Sequence, residues 1–470
     1  VAKILLTNTD GFAKQPLKPQ KRGKASLYTC GLTVYDHPHI GNWRAFIFYD
    51  TLARMLRANG LRVDHVWNIT DVGHLTSDAD EGEDKLAAAA AKARKSAWDI
   101  ARLYTAEFLT GMERLNIVGP TVMPKATDHI TEQIDLVKKL EAKGYTYRID
   151  DGVYFDVTKF AGYGRMARLD LAGMKAGARV AANAQKRHPA DFALWKFTPS
   201  GVKRDMEWDS PWGKGWPGWH VECSAMAIKY LGPTIDIHAG GVDHIPVHHT
   251  NEIAQSEAAS GKPFARLWLH NEFMTVEGEK MSKSLRNFYT LDDLVRRGFE
   301  PLAFRLLMLQ SHYRSQVNFT WEALGAAVVF LQRLRALGDL VLQPLEKGRS
   351  LDKRAARAMK KAMLERISDD LDTAGVLALL ARLSDDLPAV DTDCTIRLTE
   401  ILGLADELLG LRLAGREDLT RRQKGLIAQR DAAKDRRDYV AADKLREVLQ
   451  QSGIGLNDTP AGTVWHRLSG

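Results

Sequence analysis

The arrangement that most limits the fold lies between residues 27 and 71. "LYTCGLTVY" (27–35) reads as a strand. "NWRAFIFYDTLARMLRANG" (42–60) follows, with Phe46, Ala53 and Leu56 at helical spacing and Gly60 as a stop signal. "LRVDHVWNITD" (61–71) reads as a second strand. Two strands joined by a helix run parallel, because only antiparallel neighbours can be linked by a tight turn. Parallel strands are covered on both faces, so the spacing predicts an α/β domain built on a parallel sheet.

At 470 residues the chain exceeds one ordinary core, and two to four domains are expected. Residues 85–115, with the "AAAAA" run, read as helical. From Pro120 the texture changes. "TEQIDLVKKLEAKG" (131–144) is an amphipathic helix, "YTYRIDDGVYFDV" (145–157) a hairpin around Asp151-Gly152, and 161–190 a Gly-, Ala- and Lys-rich surface loop. Residues 116–205 are therefore an expected insertion, after which the sheet resumes at "TIDIHAGGVDH" (234–244). Beyond residue 320 the pattern is helical. Leu324, Val328, Leu331, Leu334 and Leu337 form one stripe, and Leu398, Ile401, Leu402, Ala405 and Leu408 another, both the mark of a bundle core. Residues 421–451 read as two solvated helices, and 452–467 as a compact tail with turns.

Hydrophobic residues make up 45% and charged residues 27%, as in a globular protein. No apolar run is long enough to span a membrane, and "VAKILLTNTDGF" is not a secretory leader. Three scattered cysteines, Cys30, Cys223 and Cys394, exclude a disulfide framework and fit a reducing cytoplasm. A formal charge of +7 suits a polyanionic partner such as RNA, or simply solubility.

Three stretches carry chemistry. Cys30 is a core residue, a nucleophile or a metal ligand. "GWHVECSAM" supplies Cys223, and "HHTNE" places His248 and Glu252 one helical turn apart on a shared face. Thiolate, imidazole and carboxylate are all zinc donors; the alternative is two buried thiols and a surface His–Glu pair. Cys394, inside the helical region, reads as core. "HPHIGNWR" places a turn and a helix N-terminus after a strand, which suits phosphate. There Gly41 allows close backbone approach and His39 can donate. "GEKMSKSLRN" (278–287) is a loop whose Lys280 and Lys283, with Ser282 and Ser284, can neutralise a leaving pyrophosphate. "GKGWPG" (213–218) satisfies a dinucleotide fingerprint, but it follows no apparent strand and Pro217 interrupts a helix start, so it is set aside.

"HIGN" followed some 240 residues later by "KMSKS" resembles the paired signatures of class I aminoacyl-tRNA synthetases. With "YTCGLTVYD", "NITDVGH", "DEGEDKL", "DFALWK", "GWHVECSAM", "HHTNEIAQSEA" and "DTPAGTVW", the chain resembles the cysteinyl-tRNA synthetases from about residue 25 to 467. The resemblance implies a Rossmann-like parallel-sheet catalytic domain with an inserted connective subdomain, a helical bundle and a small anticodon-binding domain. The expected division is 1–115 and 206–275 for the two catalytic halves and 116–205 for the insertion. Residues 276–318 carry the KMSKS loop and stem contacts, 319–415 the bundle, and 416–470 anticodon recognition.

The same resemblance implies one zinc ion per chain on Cys30, Cys223, His248 and Glu252, receiving the thiolate of substrate cysteine. It places Trp219 and His238 beside that side chain, with Thr33 and Asp243 nearby. His39, Gly41, Asn42, Lys280, Ser282, Lys283 and Ser284 would serve ATP and its Mg²⁺, with His39, Asn42, Lys280 and Lys283 stabilising phosphate charge. The implied partners are L-cysteine, ATP and tRNA(Cys), and the implied state a cytoplasmic monomer. Lys434, Arg436, Arg437 and Trp465 form an arrangement able to clamp RNA phosphate and stack on a base. The resemblance departs at three places: Asn42 stands where a second histidine is usual, Arg286 where glycine follows "KMSKSL", and His466 where arginine follows the last tryptophan. Two rival readings remain at this point: a cysteine ligase acting on an amino sugar, disfavoured by the basic tail, and a non-catalytic zinc-stabilised RNA binder, disfavoured by "KMSKS".

Overall fold

The computed structural model describes residues 3–73, 84–169, 183–282, 285 and 287–468. A hairpin of β1 (Leu5–Asn8) and β2 (Ala13–Pro16) precedes β3 (Lys24–Thr29), α1 (Ile40–Ala58) and β4 (Arg62–Trp67). Helices α2 (Lys85–Ala93), α3 (Ala97–Arg114) and α4 (Ile130–Ala142) follow. They lead into an antiparallel sheet of β5 (Thr146–Ile149), β6 (Gly152–Phe155), β7 (Phe192–Phe197) and β8 (Gly215–Pro217). The chain then returns through α5 (Trp219–Leu231), β9 (Ile235–Gly241), α6 (Thr250–Ser260) and β10 (Ala265–Asn271). Short elements β11 (Met274–Val276), β12 (Glu279–Lys280), α7 (Leu291–Arg296), α8 (Pro301–Leu309) and β13 (Val317–Phe319) lead to the bundle helices. These are α9 (Trp321–Leu340), α10 (Lys353–Ser368), α11 (Thr373–Asp386) and α12 (Thr392–Leu409). Helices α13 (Arg421–Asp435) and α14 (Tyr439–Gln451) and the hairpin β14 (Ile454–Thr459), β15 (Gly462–Arg467) end the chain. Among the described residues, no helix is long and apolar enough to cross a membrane.

The main sheet has the order β10-β9-β3-β4, all parallel. Leu27, Tyr28, Ile237 and Ala239 in its two middle strands are wholly buried, as covering on both faces requires. From β3 the chain crosses through α1 to β4, and from β9 through α6 to β10 on the opposite side. The winding therefore reverses between β3 and β9, and the crevice beyond their C-terminal ends is where such sheets hold ligands.

Local chemistry explains where elements differ from the sequence reading. The strand expected over 27–35 pairs continuously only as far as Thr29, and pairing resumes as a single bridge between Thr33 and Thr70. Gly31 then passes so close to Asn68 that a Cβ would lie 1.5 Å from its carbonyl oxygen. The helix expected over 85–115 is broken, with Arg94 left-handed at φ 53°. Ser96 and Asp99 form a capping box there, and these reciprocal bonds start a new helix against the alanine run's preference. In the hairpin, Ile149 pairs with Gly152, so Asp150 and Asp151 make the turn. Gly152 serves instead a close approach, its would-be Cβ lying 2.4 Å from the Trp195 carbonyl. The glycines of "GKGWPG" are used likewise. Cβ atoms at Gly215 and Gly218 would lie 1.8 and 1.9 Å from backbone oxygens of Lys196 and Ala193, so they press β8 and its exit against β7. A short strand does lie within this motif and a helix follows it, but the strand is antiparallel and outside the main sheet. Part of the surface loop expected over 161–190 lies outside the described residues.

Both apolar stripes pack in the bundle; Leu324, Leu331, Leu334, Leu398, Ile401, Leu402, Ala405 and Leu408 are fully buried, as is Cys394. The bundle meets the main-sheet domain along the second half of α1. There the buried Asp50 carboxylate accepts from Arg54 Nε at 2.7 Å, from Arg305 Nη2 on α8, and from the Val118 amide at 2.9 Å. The C-terminal module is tied to α9. Gln343 exchanges two bonds with the Trp465 backbone, at 2.6 and 2.7 Å, and buried Asp339 accepts from Arg416 and Arg467.

His65 on β4 is wholly buried, and burial, reinforced by Arg57, pulls its imidazole down to about 3. The unfolded chain gains a proton near pH 6.5, whereas the folded chain resists until about pH 3. His65 therefore stabilises the fold fully above pH 6.5. Acidification below that value is expected to cost up to about 1.4 kcal/mol per pH unit from this residue. Urea unfolding at a series of pH values checks this: His65→Gln should flatten the acid limb, and an unchanged slope would remove His65 as its source.

Candidate active-site cleft and metal centre

A cleft of about 630 Å³ opens at the reversal point. Cys30, Thr33, His39, Gly41, Asn42, Trp219, Cys223, Asp243, His248 and Lys280 all line it. Residues as far apart as 30 and 280 are brought to one wall system because β3, α5, β9, α6 and β12 all open at this end.

Its phosphate-type corner is the start of α1. His39 caps the helix: its Nδ1 accepts from the Asn42 amide at 3.2 Å, while Asn42 Oδ1 accepts from the His39 amide at 3.1 Å. Accepting at Nδ1 puts the ring proton on Nε2. Asn42 is thus folded back as half of a capping box, a use open to asparagine without charge. The loop after β12 already rests on this turn. A Cβ at Gly41 would lie 3.3 Å from Met281 Cε, and Phe288 meets the His39 ring edge-on at 4.9 Å. Asn287 braces the loop, accepting from the Ser282 amide at 2.7 Å and donating to the Lys280 carbonyl at 3.1 Å. Lys280 is exposed at the cleft. Lys283, Ser284 and Arg286 lie outside the described residues, as do residues 74–83, which include most of "DEGEDKL".

At the other end thiols, imidazoles and a carboxylate converge. Cys30 follows the end of β3. Cys223 lies one helical turn after Trp219 on α5. His248 and His249 sit on a π-turn, Ile245–His249, that feeds α6 and directs both rings inward. Such widened turns are frequent at functional sites. Ligand atoms of Cys30, Cys223 and His248 lie within 4.8 Å of one another, and so do those of Cys30, His238, His249 and Glu252. The expected quartet is therefore divided between two sets that share Cys30. Glu252 Oε2 is 3.7 Å from His248 Nε2 but 3.1 Å from His238 Nε2. His238 does not line the cleft; it is fully buried beneath it, stacked on Trp268 at 4.6 Å and paired with Glu252.

The surroundings hold these groups in place. His248 Nδ1 bonds His220 Nδ1 at 3.0 Å, which leaves Nε2 for the centre. His249 Nε2 is 3.3 Å from Cys30 Sγ, and its Nδ1 is 2.7 Å from His270 Nε2, whose Nδ1 in turn meets Thr9 Oγ1 at 2.7 Å. Burial, the Cys223 contact and nearby carboxylates push the Cys30 thiol well up. Cys223 is lowered by its bond to Cys30 but raised overall by burial and Glu252. Burial likewise pushes Glu252 well up and brings His238 down to about 3. With nothing else present the pocket favours neutral groups throughout. A divalent cation reverses that preference, stabilising thiolate and carboxylate while using neutral imidazole. Two thiols, imidazoles and one carboxylate are a donor set suited to zinc.

Sequence reading did not single out His249, His220, His270 or Lys85, the last of which lines the cleft from the start of α2. The available signal was the "HH" doublet ahead of Glu252 and the lysine opening a helical run. At the C-terminus, Lys434 is 3.0 Å from Asp458, while Arg436 and Arg437 are exposed. Trp465 corrects an expectation: it is 6% exposed, in a core with Leu419, Leu449 and Ile454, and offers no ring for stacking. The exposed aromatic beside the arginines is Tyr439, at 61%.

Residues 16–329 match the family model of the class I (C) tRNA synthetase catalytic domain. Over 467 residues the chain is 47% identical to cysteine–tRNA ligase 1 of Burkholderia lata, covering 98% of this chain and 96% of the relative. It is 43% identical to cysteine–tRNA ligase of Treponema denticola, covering 99% and 100%. The methionyl-tRNA synthetase of Mycobacterium tuberculosis, solved with methionyl-adenylate, shares the fold at a TM-score of 0.58 and 15% identity, over 83% of this chain and 92% of that one.

Proposed function

The chain belongs to the cysteine–tRNA ligase family, class I synthetases that join cysteine to tRNA at the expense of ATP, and from that premise we propose that it selects cysteine through a zinc ion held by Cys30, Cys223, His248 and Glu252. The observation that carries this reading is the convergence of Cys30, Cys223 and His248 on the cleft with Glu252 beneath them. Bound there, zinc supplies a soft Lewis-acidic site that a thiol can join as thiolate and a serine hydroxyl cannot match. Shape alone separates such near-isosteres only about 10–200-fold. The protein's own groups position and exclude. Trp219 meets the His248 ring at a tilt, with centroids 4.8 Å apart, and walls the side-chain end, while Thr33 and Asp243 line the path for the amino acid's polar end.

In the first step the cysteine carboxylate attacks the α-phosphate of ATP and pyrophosphate leaves. His39 Nε2–H, the backbone of the "HIGN" turn at Gly41 and Asn42, and Lys280 with Lys283 offset charge on the phosphates; Ser282 and Ser284 bind the same nucleotide, and Mg²⁺ accompanies it. Positioning and electrostatics supply the rate without a protein nucleophile. The product of that step is cysteinyl-adenylate; in the second step the 2′-hydroxyl of the terminal adenosine of tRNA(Cys) attacks its carbonyl carbon, the acyl–phosphate bond breaks and AMP leaves. Residues 416–470 are the proposed anticodon-recognition module, with Lys434, Arg436 and Arg437 on phosphate and Tyr439 as the stacking platform. The working form is a cytoplasmic monomer.

The test pairs two assays. Cysteine should support pyrophosphate exchange into ATP at least about 200-fold better than serine, above the ceiling of a shape-only pocket. A tRNA transcript with a GCA anticodon should be charged. Dialysis against a chelator should remove metal and cysteine exchange together, with recovery on adding zinc. Full activity in metal-free protein would overturn the zinc assignment.

A further inference from the structure

The buried joint along the second half of α1 does more than fill space. Arg54 and Arg305 are 8% and 0% exposed and share Asp50 as acceptor. Their remaining donors close the ends of other segments. Arg54 Nη1 donates to the Asp406 and Glu407 carbonyls at 3.0 and 3.3 Å, and Arg305 Nε to the Leu409 carbonyl at 2.6 Å, all in the last turn of α12. Arg54 Nη2 and Arg305 Nη1 reach the Asn116 and Leu115 carbonyls, at 2.7 and 3.0 Å, just past α3. Cations at helix C-termini satisfy orphan carbonyls and the helix dipole together. Asn116, left-handed at φ 52°, adds a bond from Nδ2 to the Gly410 carbonyl at 2.9 Å. Gly410 itself is required twice: its φ is 64°, and a Cβ there would stand 2.8 Å from Arg305 Nη2.

This joint lies on a continuous mechanical route. The C-terminal module is fixed to α9 through Asp339 and Gln343, α9 packs on α12, and α12 ends in the joint. The joint is held by Asp50 and Arg54 of α1, whose other end is the His39 cap at the cleft. We propose that Asp50, Arg54, Arg305, Asn116 and Gly410 are positioning residues that set the tRNA-bearing module relative to the cleft, so that they govern the transfer step and not cysteine activation. The inference rests on the reading of residues 416–470 as the tRNA module. It requires no contact between the joint and any substrate.

The test uses the full-length zinc-loaded protein with two variants, the first gentle and the second disruptive at the joint. Asn116→Gly keeps the left-handed backbone and deletes one bond; Gly410→Ala crowds the guanidiniums. Cysteine-dependent exchange should stay within about twofold of wild type, while KM for tRNA in charging should rise about 2- to 30-fold, the range expected for a loosened coupling network. Parallel loss of both activities would mark the joint as general scaffold and overturn the proposal, as would unchanged charging in both variants. A third variant, Lys434→Ala with Arg436→Ala and Arg437→Ala, separates the underlying reading. If it charges tRNA normally, the assignment of the module fails; if it loses charging while the joint variants charge normally, the module reading holds and the joint proposal alone fails.

Discussion

Cys223→Ser is expected to lower cysteine-dependent exchange by more than about 100-fold, because even outer partners of a metal site are worth 10–100-fold and this is a direct donor. Cys223 is 2% exposed, and its sulfur faces Cys30 and the Tyr28 hydroxyl. Serine is nearly isosteric, so packing changes little, but a buried hydroxyl is a poor zinc donor at neutral pH. Zinc content should fall in step with activity, and the unfolding midpoint should fall mainly by the lost metal linkage. Activity and metal are both measurable on one preparation, by exchange assay and elemental mass spectrometry. A Cys223→Ser protein that retains stoichiometric zinc and full exchange would leave the thiolate-selection argument without its donor.

Asp50→Asn should produce the largest loss of stability, about 3–5 kcal/mol, as expected when one member of a buried ion pair is removed and its partner charge stays. Here one carboxylate serves two guanidiniums. Burial lowers the Arg305 pKa and Asp50 opposes that, with Asp406 a weaker counter-charge. Asparagine keeps the shape and one acceptor oxygen yet strands the charge. A sharply lower urea midpoint is the expected readout. The companion variant Asp50→Leu/Arg54→Met/Arg305→Met should regain much of the loss, since apolar groups can replace a buried ion cluster at little cost. An unchanged midpoint in Asp50→Asn would mean that water or Asp406 already neutralises the site.

The same joint shows what pattern reading misses. Asp50 and Arg54 sit in a stretch read correctly as helix, where a charge pair four apart usually means a solvated face. Nothing in residues 40–58 says that this face meets Leu409 and Arg305. His238 and Trp465 are both buried, and how deep a ring lies depends on partners far along the chain, which local pattern does not show. His249 carries no such signal, because in sequence it is His248 that stands one helical turn from Glu252.

Residue order alone pointed to the parallel α/β class, the helical second half, the helix start at the "HIGN" turn and the candidate donors Cys30, Cys223, His248 and Glu252. Those features rest on periodicity, turn chemistry and composition, which act within a few residues of one another. Only the tertiary structure decided which imidazoles share a centre with Cys30, why Gly31, Gly152 and Gly410 must be glycine, and how α1 is fastened to the bundle. Each of those is set by atoms brought together from tens to hundreds of residues away, and burial is a property of that assembly, not of any local segment.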